Sequence, residues 1–237
     1  MCTFLIIAFS VVCLGVMPFF LVEQRNPSLR SLILKMVCAS MFVLVGAFSL
    51  KKSGSTPYAQ FMLYGLICAW FGDLFLHIQG KAKPPCMVIG VLAFLSAHIM
   101  YLIAFSKELA RVSPEAKMFT VGAVIFVAAT LVIYTIVIFL TKTPMNPALL
   151  GLYVYAIFLT FMCFTALRLS AFVYPTSRFG ALLLGTGAIL FVFSDASLGI
   201  LMFNNKLKTN FPLKIFNIGT YFIGQLMLAA TILTVGH

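Results

Sequence analysis

The sequence predicts an all-α, polytopic integral membrane protein, with eight transmembrane helices in one bundle forming a single domain over 1–237. Two observations carry this. Of the 237 residues, 62% are hydrophobic and 9% charged, against roughly 45–50% and about 25% in soluble domains, so too little polar surface exists to wrap a water-soluble core. The apolar residues also fall into eight windows of the about 20 residues that span a bilayer, which gives a mean hydropathy of +1.12. The net charge of +11 sits in short clusters between these windows, a pattern suited to anionic membrane lipids rather than to nucleic acid.

The spans are expected at 2–22, 31–50, 58–78, 87–106, 118–141, 147–170, 179–203 and 212–235. The first ends at Glu23 and lacks a basic leader and a small-residue cleavage site, so it reads as a retained helix rather than a signal peptide. The second lies between Arg30 and Lys51, the third between Pro57 and Gln79, and the fourth between Cys86 and Lys107. Lys117 and Lys142 bound the fifth, Asn146 and Ala171 the sixth, Arg178 and Asn204 the seventh, and Phe211 opens the eighth. The connections are too short to hold a second domain, so any function is built inside the bundle. Four of the six cysteines, Cys13, Cys38, Cys68 and Cys163, lie inside spans and read as small membrane hydrophobes rather than a disulfide framework.

Eight spans put both termini on one face, side A, with side B opposite. Seven loop cations on side A stand against nine on side B, Arg25, Lys81 and Lys83 among them; the small excess leans toward side B as the cytosolic face. The third span carries Phe71-Gly72-Asp73-Leu74-Phe75-Leu76 and the seventh Phe193-Ser194-Asp195-Ala196-Ser197-Leu198. Four helices apart, this echo points to two parallel four-helix halves, with the aspartates at equivalent depth.

Ionisable residues inside spans are costly and mark function by default. Odd spans run from A to B, which sets Asp73 ~8 Å and Asp195 ~12 Å below side B at ~1.5 Å per residue. Even spans run the other way, so Lys35 enters at similar depth and His98 near mid-membrane. Tyr153 and Tyr155 on the sixth span, and Asn217, Tyr221 and Gln225 on the eighth, fall in the same half, and Tyr101 shares a helix face with His98. His77 sits at a helix end and reads as interfacial, while Arg168 lies near side A and snorkels.

The segments Gly72-Asp73-Leu74-Phe75-Leu76, Phe94-Leu95-Ser96-Ala97-His98-Ile99-Met100-Tyr101, Leu150-Gly151-Leu152-Tyr153-Val154-Tyr155, Gly187-Ala188-Ile189-Leu190-Phe191-Val192-Phe193-Ser194-Asp195 and Thr220-Tyr221-Phe222-Ile223-Gly224-Gln225 resemble the YhhN-like membrane proteins, which include the lysoplasmalogenases. The likeness runs from the second span to the last. It implies a multi-pass membrane hydrolase, in the endoplasmic reticulum membrane if the cell is eukaryotic, that cleaves the vinyl ether of a lysophospholipid substrate, a lysoplasmalogen, to a fatty aldehyde and a glycerophospho-base. Lys35 looks like the family's second-helix lysine, although the proline that often follows is absent; His77 does not look like a family position.

Enol ether hydrolysis begins with a proton delivered to carbon, and the resulting oxocarbenium ion is captured by water. Two buried carboxyls that share a proton could supply acid and base, much as glycosidase pairs do. Asp73 and Asp195 are the expected catalytic residues, their individual roles open. Lys35, His98, Tyr101, Tyr153, Ser194, Tyr221 and Gln225 are the expected substrate-binding residues. The chemistry requires no metal and no cofactor. Three other readings share these residues: a zinc hydrolase using His77, His98, Asp73 and Asp195, a proton-coupled transporter, and a non-catalytic lipid-binding protein.

Overall fold

The computed structural model describes residues 2–24, 28–78, 85–143 and 147–235, with the backbone alone for 147–150. Within them lie eight helices, each long and apolar enough to cross a membrane: α1 (Cys2–Glu23), α2 (Leu29–Ser53), α3 (Pro57–Ile78), α4 (Pro85–Val112), α5 (Val121–Leu140), α6 (Pro147–Val173), α7 (Arg178–Phe203) and α8 (Phe211–Thr234). The side B cations Arg25, Lys81 and Lys83 lie outside the described residues.

The helix starts follow from local chemistry. Ser28 and Ser31 form a reciprocal capping box at the head of α2, while Thr120, Ser177 and Asn210 each accept an N–H from the first turn of α5, α7 and α8; these bonds satisfy donors that have no partner inside the helix. The largest departure from the expected spans is α4, which continues six residues past 106. Lys107 was expected to end it. Instead Glu108 and Arg111, three apart on one face, form a two-toothed ion pair at 2.5–3.1 Å, and Arg111 in the last turn opposes the helix dipole. The pair removes the charge cost of extending the helix, and Leu109 is buried in the bundle.

Six helices close a ring in the order α2, α3, α4, α6, α7, α8 and back to α2; α1 packs outside on α2, and α5 outside on α6. Consequently α5 faces lipid, with Val121 77% and Phe139 81% exposed. The packing repeats four helices on: α1 on α2, α2 on α3, α3 on α4 and α4 on α6 correspond to α5 on α6, α6 on α7, α7 on α8 and α8 on α2. Individual contacts repeat with it. A Cβ on Gly72 would meet the ring of Phe94 at 2.6 Å, and Ser194, 122 positions on, takes a hydrogen bond from Asn217, 123 positions after Phe94. The pairwise order supports the two parallel halves.

Close approach on the α3–α4 face rests on glycine. A Cβ on Gly65 would stand 2.3 Å from Cε1 of Tyr101, and Tyr101 is fully buried with its hydroxyl bonded to Gln225, so the ring cannot yield. Gly65→Ala is expected to lose about 1–3 kcal/mol of stability through overpacking, read as a lower melting temperature in detergent. Gly15, with nothing within 4 Å, is the control: Gly15→Ala leaves the melting temperature unchanged or raises it. All six cysteines are free. Cys13 and Cys38 each point their thiol at the other's backbone carbonyl, at 3.6 and 3.7 Å, and so serve to pack α1 on α2.

Candidate functional site

Asp73 on α3 and Asp195 on α7 stand on opposite sides of the ring, and each is held by one helix next to its own and one a place further round: α2 and α8 for Asp73, α6 and α4 for Asp195. Asp73 is buried. Its Oδ1 pairs with Lys35 Nζ of α2 at 2.9 Å, and its Oδ2 accepts the Tyr221 hydroxyl of α8 at 2.7 Å. Lys35 also donates to the Asp73 backbone carbonyl at 3.3 Å. On the other side, Asp195 Oδ2 accepts the Tyr155 hydroxyl of α6 and lies 3.1 Å from His98 Nε2 of α4. Tyr155 and His98 are themselves 2.7 Å apart.

These two cradles obey the internal repeat. Tyr155 follows Lys35 by 120 positions, Asp195 follows Asp73 by 122, and Tyr221 follows His98 by 123. Every member of one cradle thus has its counterpart in the other, on the helix four further along. The chemistry differs at one decisive place: α2 gives Asp73 an ammonium, whereas α6 gives Asp195 a phenol. The Phe191 ring lies between the halves, its centroid 5.0 Å from His98 and 5.7 Å from Tyr221.

Both aspartates line a cavity of about 170 Å³, reaching from mid-bundle to the side B helix ends. At about 30 Å³ per water this is room for several waters. Lys35, Ser194 and Tyr221 line it as well, and so do Asn217, which donates to the backbone carbonyl and hydroxyl of Ser194 at 2.8 and 3.1 Å, and His77, whose Nε2 is 3.0 Å from the Ser31 hydroxyl. Gln24 and Lys214, which the sequence did not single out, complete the wall.

Tyr101 and Gln225 do not line this cavity. They meet each other at 2.8 Å, one helical turn further along α4 and α8 than His98 and Tyr221. His98 is also behind the wall, fully buried, and touches the cavity through Asp195. Its Nδ1 has no hydrogen-bond partner among the described residues.

Tyr153 turns away. Its hydroxyl meets that of Thr135 at 2.9 Å and its ring packs edge-on to Tyr134, both on α5. Two residues along a helix are about 200° apart, so α6 can point only one of Tyr153 and Tyr155 inward, and it is Tyr155 that reaches the aspartate. The zinc set does not assemble: among the described residues no three His, Cys, Asp or Glu side chains converge.

A second opening lies on the lipid side. An apolar groove of about 420 Å³ runs along α4 and α6, walled by Met87, Val91, Leu95, Leu152, Tyr155 and Met202. A gap of about 20 Å³ shares Val91, Leu152, Tyr155 and Met202 with that groove, and Leu76, Phe94, Asp195 and Leu198 with the polar cavity. Asp195 therefore lines both the polar cavity and the small gap that separates it from the apolar groove.

The YhhN family model matches residues 30–232, which takes in every residue of both cradles. Among curated proteins and among solved structures, nothing matches.

Proposed function

The chain belongs to the YhhN family, and from that premise we propose that it is a lysoplasmalogenase, a hydrolase that splits the vinyl ether of a lysoplasmalogen into a fatty aldehyde and a glycerophospho-base. The observation that carries the reading is the inequality of two equivalent aspartates. Asp73 is paired with a lysine. Asp195 has no ammonium or guanidinium within 4 Å among the described residues. The mechanism therefore assigns the acidic proton to Asp195, the carboxyl without a cationic partner. Oδ2 is already committed to Tyr155 and His98, which leaves Oδ1 to carry it.

From Oδ1 the proton goes to the vinyl carbon remote from oxygen, the step that limits enol ether hydrolysis. The resulting oxocarbenium ion is stabilised by the Asp73 carboxylate, whose remaining lone pairs also orient the attacking water and take its proton. On collapse of the hemiacetal the proton held by Asp73 passes to the departing glycerol oxygen, which leaves as a hydroxyl, and the hemiacetal O–H proton returns to Asp195, so both carboxyls are restored. The apolar groove suits one hydrocarbon chain. A lipid with a single chain and a polar remainder fits the joined cavity and groove, which favours a lysolipid over a two-chain substrate.

Purified protein is expected to release long-chain aldehyde from a lysoplasmalogen in detergent, with chelator present, and to spare the ester-linked lysophospholipid of the same headgroup. Absence of aldehyde from every vinyl ether lipid would end this reading. The internal repeat favours one rival, a transporter, since parallel halves are a transporter architecture; proton or solute flux in proteoliposomes without aldehyde release is the result that would establish it.

The geometry also separates two neighbouring tyrosines. Tyr155→Phe removes a hydrogen bond to the proton donor and is expected to lower turnover about ten- to a hundred-fold, the range for bonds to charged or developing-charge groups. Tyr153→Phe, which loses only a partner on α5, is expected to stay within about twofold. Steady-state aldehyde release by the two variants checks the pair.

A further inference from the structure

We propose that Lys214, together with Gln24, binds the phosphate of the lysophospholipid headgroup, and that Lys35 does not. The inference rests on the lysoplasmalogenase reading and assigns the polar end of its substrate. Three kinds of observation lead to it.

The first is charge. Two aspartates and two lysines line the cavity: Asp73, Asp195, Lys35 and Lys214. Lys35 spends its contacts on Asp73, at the carboxylate and at the backbone carbonyl, so it has no net charge to offer an anion. Lys214 has no carboxylate within 4 Å among the described residues, and its Nζ touches only the Gln24 backbone carbonyl, at 3.4 Å. Of the two lysines in the wall, Lys214 is the one without a carboxylate partner among the described residues, and so the one with a charge to offer. A phosphodiester carries one negative charge.

The second is position. Lys214 lies in the first turn of α8, on the face shared by Asn217, Ile218 and Tyr221, and all four line the cavity. Seven residues, about 10 Å along the helix axis, separate Lys214 from the Tyr221 that holds Asp73. A lysine reaching inward and a three-carbon glycerol reaching outward span that interval, with the vinyl ether at the aspartates and the phosphate at Lys214.

The third is an unmet donor. Gln24 lines the cavity, and its side-chain Nε2 is shielded from solvent and without a hydrogen-bond partner among the described residues. A shielded amide N–H without an acceptor is costly, and a phosphate oxygen is the acceptor that would relieve it. The nearby acid Glu23 accepts the Ser28 hydroxyl at 3.2 Å, and among the described residues no carboxylate is within ion-pairing distance of Lys214 to hold a cationic headgroup base. The site therefore reads the phosphate and not the base, so choline and ethanolamine lysoplasmalogens are expected to bind within about threefold of each other.

The test measures binding and needs no turnover. A saturated 1-O-alkyl lysophospholipid, which has no vinyl ether to cleave, is titrated by calorimetry into the full-length protein in detergent, beside the phosphate-free 1-O-alkylglycerol. Lys214→Gln is expected to weaken the phospholipid about ten- to a hundred-fold and leave the alkylglycerol unchanged; Lys214→Arg restores most of the loss. Equal weakening of both ligands, or no weakening of either, overturns the assignment, and so does selective loss of the phospholipid in Lys35→Met with Lys214→Gln unaffected. Glycerophosphocholine alone binding as tightly as the lipid would make this a free-anion site and overturn the lipid assignment. If the alkyl lysophospholipid binds through Lys214 while no vinyl ether lipid yields aldehyde, the phosphate site stands and the enzyme reading falls.

Discussion

Asp195→Asn lowers aldehyde release by about 10²–10⁴, the contribution of a positioned proton donor, with the protein still folded in detergent. An amide keeps the shape of the carboxyl, and its oxygen still accepts the bonds that Tyr155 and His98 direct at Oδ2. What it lacks is an acidic proton for carbon. Asp73→Asn is expected to fall as far by another route: an amide can neither balance the oxocarbenium ion nor take a proton from water. The two losses should differ in their dependence on the substrate. A vinyl ether made more basic by electron donation regains part of the rate in Asp195→Asn, where protonation is impaired, and little in Asp73→Asn. Both variants at near wild-type rates would remove the two-aspartate mechanism.

Lys35→Met carries the second large effect, and it is one of stability. Asp73 has 2% of its side chain exposed and Lys35 15%, so truncating the lysine strands a buried charge whose remaining partner is the Tyr221 hydroxyl. Removing one member of a buried ion pair costs about 3–5 kcal/mol, and the expected result is a melting temperature in detergent well below that of the wild type. Pairing it with Asp73→Asn removes the stranded charge. The double variant Lys35→Met/Asp73→Asn is therefore expected to recover most of the stability and none of the activity, a separation that a merely snorkelling lysine would not produce.

The spans and the two aspartates were legible in the sequence because the physics behind them is one-dimensional. A run of about 20 apolar residues is visible without a structure, and a carboxyl inside such a run stands out by its cost. Helix direction then fixes depth, which is how Lys35, His98 and Tyr221 could be set beside the aspartates before any contact was known. Rotation about the helix axis is harder to read on α6. Tyr153 and Tyr155 sit at nearly the same depth in a helix with apolar residues all round, and only packing on α4 and α7 decides that Tyr155 faces inward. Tyr101 and Gln225, expected to bind substrate, meet each other rather than the cavity.

Charged residues near helix ends were the other blind spot. Lys107, Glu108 and Arg111 look like a loop until the i, i+3 spacing of the last two is taken as a single neutral pair. Lys214 looks like one more interfacial cation on side B until its helix face is followed down through Asn217 to Tyr221. The repeat, by contrast, was present as six residues of echo around Asp73 and Asp195. Its full extent emerges from pairs that share no residue type, Lys35 with Tyr155 and His98 with Tyr221, matched by position and by the aspartate they hold.

The most direct measurement of the central claim is isotopic. Wild-type protein is given a lysoplasmalogen in D₂O enriched in ¹⁸O, and both products are weighed by mass spectrometry. Proton delivery to carbon by Asp195 predicts one deuterium on the aldehyde carbon next to the carbonyl, and a glycerophospho-base whose newly freed hydroxyl keeps its original oxygen, because water enters at the alkenyl carbon. An aldehyde without that deuterium, ¹⁸O in the glycerol hydroxyl, or no aldehyde at all would contradict the account.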